Sequence, residues 1–87
     1  MKLLLIAFVA PSAVDAVVAI IQAYESWARL GDGCYLVYTH HSAECVRDSL
    51  RPHLGQGGHV YVTTTGPVAA WVGLPPNVAS WIQTRQK

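Results

Sequence analysis

Two segments of this 87-residue chain are apolar on both faces, and that property limits the architectures open to it. In residues 3–9, Leu3, Leu5, Ala7 and Val9 alternate with Leu4, Ile6 and Phe8. In residues 34–39, Cys34, Leu36 and Tyr38 alternate with Tyr35 and Val37. A β-strand sends successive side chains to opposite faces, so a strand without a polar face needs cover on both sides. Two helices can cover only one face of a small sheet, and the other face must find a second cover. Small domains bury only roughly 60–65% of their unfolded surface, which makes association a common remedy. The chain is 52% hydrophobic and 13% charged, against about 25% charged in ordinary soluble domains. A homodimer, or a C-terminal segment folded over the sheet, is the expected cover.

The rest of the pattern reads strand–helix–strand–strand–helix–strand. Pro11 ends the first strand, and Ser12 with Asp15 three residues on offers a capping box for a helix from 13 to about 25. Its stripe is Val14, Val17, Val18, Ile21 and Tyr24. A second strand, 26–30, meets the third through Gly31-Asp32-Gly33, and Asp-Gly between apolar runs is a strong hairpin signal. Ser42 can cap a second helix whose buried stripe is Val46, Leu50 and Leu54, with Pro52 ending its last turn. A glycine-rich connector, 55–58, precedes a fourth strand at 59–65, where Val60 and Val62 alternate with Tyr61 and Thr63. An apolar stretch, 66–76, contains Val68, Trp71, Val72 and Leu74 and leads to a short helix capped by Asn77 and carrying Val78, Trp81 and Ile82. The expectation is α+β. It is one ferredoxin-like βαββαβ domain over 1–87, with a four-stranded antiparallel sheet and two helices on one face. Residues 66–87 form a C-terminal apolar extension that packs on the sheet or on a partner.

Residues with chemistry are few. The net charge is +1, and one basic pair a helical turn apart, Arg47 and Arg51, is interleaved with Glu44 and Asp48. These arginines are the candidate nucleic-acid contacts, and binding through so few charges is expected to be weak or absent. The glycine connector follows a helix and precedes a strand, the reverse of a phosphate-cradling loop. His40 and His41 lie about 18 Å along a helix from His53, too far to share one metal. No metal or cofactor is expected. Cys45 falls in the first turn of the second helix with His41 close in sequence, so a reactive thiol is conceivable beside the plainer reading of a half-buried small residue. Cys34 and Cys45 form no CxxC motif, which fits a reducing, cytoplasmic setting. Residues 2–10 resemble a short signal peptide, but cleavage would remove a strand that the pattern needs. No apolar run reaches the ~20 residues of a membrane helix. Aromatic and aliphatic groups at Tyr35, Val37, Tyr61, Trp71 and Trp81 are the candidate interface.

On Met1-Lys2-Leu3-Leu4-Leu5-Ile6, Ser42-Ala43-Glu44 with Val46-Arg47-Asp48 and Leu50, Ala69-Ala70-Trp71 with Gly73-Leu74, and Trp81-Ile82, the chain resembles the small SinR-type family of bacterial proteins. That family is similar to the ferredoxin-like superfamily of the CRISPR-adaptation small subunit and the VapD toxins. The resemblance implies the βαββαβ fold, a homodimer, and a C-terminal segment over sheet edges or the partner. Nucleases of that superfamily carry an aromatic residue followed by Asp at the end of the first strand. Here Phe8 is followed by Val9, which cannot ligate a metal or its water. The expected function is a non-catalytic homodimeric interaction or scaffold protein, with a possible further protein partner. The alternatives are a metal-dependent nuclease acting on RNA or DNA, and a weak nucleic-acid-binding protein.

Overall fold

The computed structural model describes residues 1–66 and 69–85. Val68 of the apolar stretch lies outside the described residues. In chain order the elements are β1 (Lys2–Val9), α1 (Val14–Gln22), β2 (Ser26–Gly31), β3 (Cys34–Thr39), α2 (Ala43–Leu50), a 3₁₀ turn (Arg51–His53), β4 (His59–Thr64) and α3 (Pro76–Arg85). The strands form one four-stranded sheet in the order β2-β3-β1-β4, antiparallel at every junction. The described residues are thus α+β with three α-helices, and this arrangement is compatible with a ferredoxin-like fold.

The central strands are the two that lack a polar face. Leu5 of β1 stands opposite Leu36 of β3 and Thr63 of β4, which fixes which side chains share a face. Leu4, Ile6, Phe8, Tyr35 and Val37 point toward α1 and α2 and join Val17, Ile21, Val46, Leu50 and Leu54 in the main core. The opposite face carries Leu3, Leu5, Ala28, Leu30 and Leu36, and α3 lies on it through Val78, Trp81 and Ile82. So the second cover is supplied, in part, by the chain's own C-terminal helix.

Local chemistry explains most boundaries. Ser42 adopts an extended conformation and its hydroxyl accepts a 3.1 Å bond from the Cys45 amide, a cap that starts α2. Pro52 falls in the 3₁₀ turn that follows α2, because a proline cannot supply the amide that a further α-turn requires. Gly33 has φ of +69°, and its carbonyl accepts a 2.8 Å bond from the Phe8 amide, so the hairpin tip presses on β1.

Three expectations are corrected. Ser12 does not cap α1: the helix starts at Val14 after a turn closed by Ala13 N–H to the Ala10 carbonyl, and no side chain caps it. The helix ends at Gln22 rather than near 25, because Tyr24 turns its hydroxyl to Ser49 on α2 (2.8 Å) and Glu25 accepts from Thr39 (3.0 Å). Asn77 is inside α3, whose first residue is Pro76, a position where the missing amide costs nothing.

Candidate interaction surface

Helix α3 is tied to its own sheet by a polar clasp as well as by apolar contact. The Ser26 hydroxyl accepts bonds from Trp81 Nε1 (2.9 Å) and Arg85 Nε (3.1 Å). The Arg85 guanidinium lies 4.5 Å from the Trp81 ring centroid and 5.8 Å from that of Tyr38. Ser26 belongs to β2 and pairs with Tyr38, so the clasp holds α3 over the β2–β3 half of the sheet.

The C-terminal end of β1 and the adjoining β4 are different, although Leu3 and Leu5 of β1 pack with the α3 cluster. One row of the same face runs Cys34, Ala7, Tyr61 across three strands in register, and the next pairs Val9 with His59. Tyr61 is 65% exposed and Val9 47%, whereas Leu36, under α3, is buried. Cys34 and Ala7 are half-buried. The result is a partly apolar strip free of Asp, Glu, Lys and Arg, with His59 at its end, next to a helix-covered one. Between sheet and C-terminal segment lies an apolar cavity of about 280 Å³, whose walls include Leu3, Leu36, Trp71, Leu74 and Ile82.

The sequence-predicted interface residues therefore separate. Tyr61 is on the open strip, and Trp71 is exposed on the C-terminal segment. Trp81 is half-buried against its own sheet in the clasp. Tyr35 and Val37 lie in the core beneath the helices, which takes them off the molecular surface. Their alternation partners Cys34, Leu36 and Tyr38 are the ones on the far face. Ala7 and Val9, named in the sequence as strand residues and not as interface candidates, complete the strip, since alternation shows that a face is apolar but not how far α3 extends across it.

The nucleic-acid candidates share one carboxylate. Arg47 bonds Asp48 at 3.0 Å and Arg51 approaches the same oxygen at 3.8 Å, all three on the exposed side of α2 and its 3₁₀ extension. Hydrogen bonding from Arg47 holds the Asp48 carboxyl below the usual carboxylate range. Each arginine keeps much of its surface in water, so the pairs are weak but they reduce the local positive field.

At the end of β1, an open concavity of about 510 Å³ is lined by Phe8, Val9, Val14, Tyr35, Arg29 and Asp32 among others. Arg29 and Asp32 are bonded to each other at its rim. Asp15, the acid nearest to Val9 in the sequence, is in the first turn of α1. Among the described residues, no three His, Cys, Asp or Glu groups come together as a metal-holding set, and no helix is long and apolar enough to cross a membrane. The two cysteines are free thiols. No protein-family model matches the chain, and no curated protein matches it.

Proposed function

We propose that the chain is a non-catalytic interaction protein that pairs with a second copy through the β1–β4 half of its sheet. The observation that carries this reading is the strip itself: Tyr61 and Val9 stand exposed on the face whose other half is sealed by α3. The occupant is a second copy because the strip suits a two-fold contact. A two-fold axis sets one patch against itself, which a strongly charged patch would resist and a patch of Cys34, Ala7, Tyr61, Val9 and His59, free of Asp, Glu, Lys and Arg, permits. The half-covered sheet also leaves this small domain with burial to gain.

The strand and element orders support a ferredoxin-like assignment, and with it kinship to the CRISPR-adaptation small subunit and VapD proteins. Within that kinship, Val9 at the end of β1 and the mutually paired Arg29 and Asp32 beside it favour a scaffold over a nuclease. Two free thiols suit a reducing, cytoplasmic setting.

Light scattering at micromolar concentration tests the reading. The expected mass is about twice the 9.4 kDa chain, with at least ~800 Å² buried per subunit. A mass of one chain contradicts it. In the same preparation, single- and double-stranded RNA and DNA are expected to survive magnesium and manganese, and cleavage abolished by chelation would replace the scaffold reading with the nuclease.

A further inference from the structure

We propose that Cys45 and His41 form a thiol-exchange site that accepts a small disulfide and retains half of it as a mixed disulfide. Cys45 is the third residue of α2 and exposed, and its Sγ lies 3.6 Å from His41 Nδ1. That distance is within reach of a sulfur–nitrogen hydrogen bond, so the imidazole can take the thiol proton as the sulfur becomes a nucleophile.

Both groups are held in place from several directions. The Cys45 amide is bonded to Ser42 Oγ, which fixes the first turn. The His41 amide donates to Thr39 Oγ1 at 3.3 Å, and buried Thr39 in turn donates to Glu25 Oε1 at 3.0 Å. The His41 ring meets the Tyr24 ring edge-on, with centroids 5.9 Å apart and planes at 77°. Tyr24 is itself anchored to Ser49. A concavity of about 230 Å³, lined by Ile20, Ala23, Tyr24, Glu25 and His41, lies against this imidazole, and Cys45 stands outside its lining. Cys34 has a different setting: it is half-buried on the far sheet face, where burial pushes its thiol up.

The exchange balances without a further reactant. Cys45 Sγ attacks one sulfur of R–S–S–R, the new S–S bond forms, and the old one breaks with its electron pair on the departing sulfur. That thiolate takes up the proton that His41 received from Cys45. The protein thiol is oxidised, the disulfide is reduced, and one R–SH is released. The site lies on the helix side of the sheet, opposite Tyr61 and Val9, so its failure would leave self-association untouched, and the reverse.

The probe is bis(2-hydroxyethyl) disulfide, which is neutral, so attraction by local charge does not raise its rate. The full chain is treated at neutral pH, folded and in urea, and adducts at Cys45 and Cys34 are followed by peptide mass. Exposure alone can bring a thiol up to its unfolded rate but not above it. Folded Cys45 is expected to react about tenfold faster than in urea, and His41→Gln to remove that gain. Cys34 is expected to react more slowly folded than unfolded. Cys45 at or below its unfolded rate overturns the proposal, as does an unchanged rate in a folded His41→Gln. Should that variant not fold, the parent's folded-to-unfolded ratio decides alone.

Discussion

Truncating Leu50 to alanine probes the core that sets every other position. Leu50 is fully buried among the main-core side chains contributed by β1, β3, α1 and α2. The substitution removes three carbons, about 2.4 kcal/mol at ~0.8 kcal/mol for each buried carbon. A cavity that closes only in part raises the expected loss to about 3 kcal/mol, within the 2–5 observed for such changes. Alanine's better helix propensity returns only a few tenths. An 87-residue domain has a total stability of roughly 4–13 kcal/mol at ~0.05–0.15 per residue, so the loss is a large fraction. The melting temperature is expected to fall by about 12–24 °C. Urea unfolding followed by circular dichroism should show a lower midpoint with an unchanged slope. Ile82→Ala, in the smaller cluster under α3 with Ala28, Leu36 and Val78, is expected to cost less but to shift the same transition. A Leu50→Ala loss below ~1 kcal/mol, or a stability indifferent to Ile82, would refute the packing described.

Gly33→Ala is expected to cost about 2 kcal/mol or more, because φ is +69° and a Cβ there would collide with the Phe8 carbonyl oxygen; urea melts measure it. Ser42→Ala should cost about 1 kcal/mol through the lost cap on the Cys45 amide, with Ser42→Thr retaining most of the stability in the same assay. Thr39→Val bears on acid stability. The Glu25 carboxyl is held below its ordinary 4.5 by its own backbone hydrogen bond first, then by the Thr39 hydroxyl, with His41 and His40 adding. A depressed folded value means stability present above 4.5 and lost as pH falls through the lower folded value. The parent should therefore lose some stability as pH falls below 4.5, and Thr39→Val, lacking the second cause, should lose less over the same window in urea midpoints taken at successive pH values.

Elements bounded by strong local chemistry were legible in the sequence. The third strand, 34–39, stands between Asp32-Gly33 and the Ser42 cap, and its limits match β3 residue for residue. Val46, Leu50 and Leu54 are buried as their spacing required. The start of α1 was not legible, since a serine ahead of an apolar stripe is only a possible cap and Ser12 sits beside Gly55 instead. Which face of β3 meets the helices was ambiguous for a related reason. In a doubly apolar strand, period-two alternation is equally good in both phases, and only pairing with β1 assigned Tyr35 and Val37 to the core. The candidate strip was half legible: Tyr61 follows from alternation, but its exposure depends on α3 stopping over β2 and β3. That limit is set by Ser26, Trp81 and Arg85, which are 55 and 59 positions apart in the chain and have no local signal.

Sedimentation equilibrium of the parent, Tyr61→Arg and Val14→Arg locates the contact as well as counting the copies. Tyr61 is exposed on the strip, while Val14 is exposed on α1, across the sheet. The parent and Val14→Arg should sediment at about twice 9.4 kDa, and Tyr61→Arg at 9.4 kDa with its circular dichroism unchanged. A parent that stays a single chain, or a Tyr61→Arg that stays paired, would contradict self-association through the open half of the sheet.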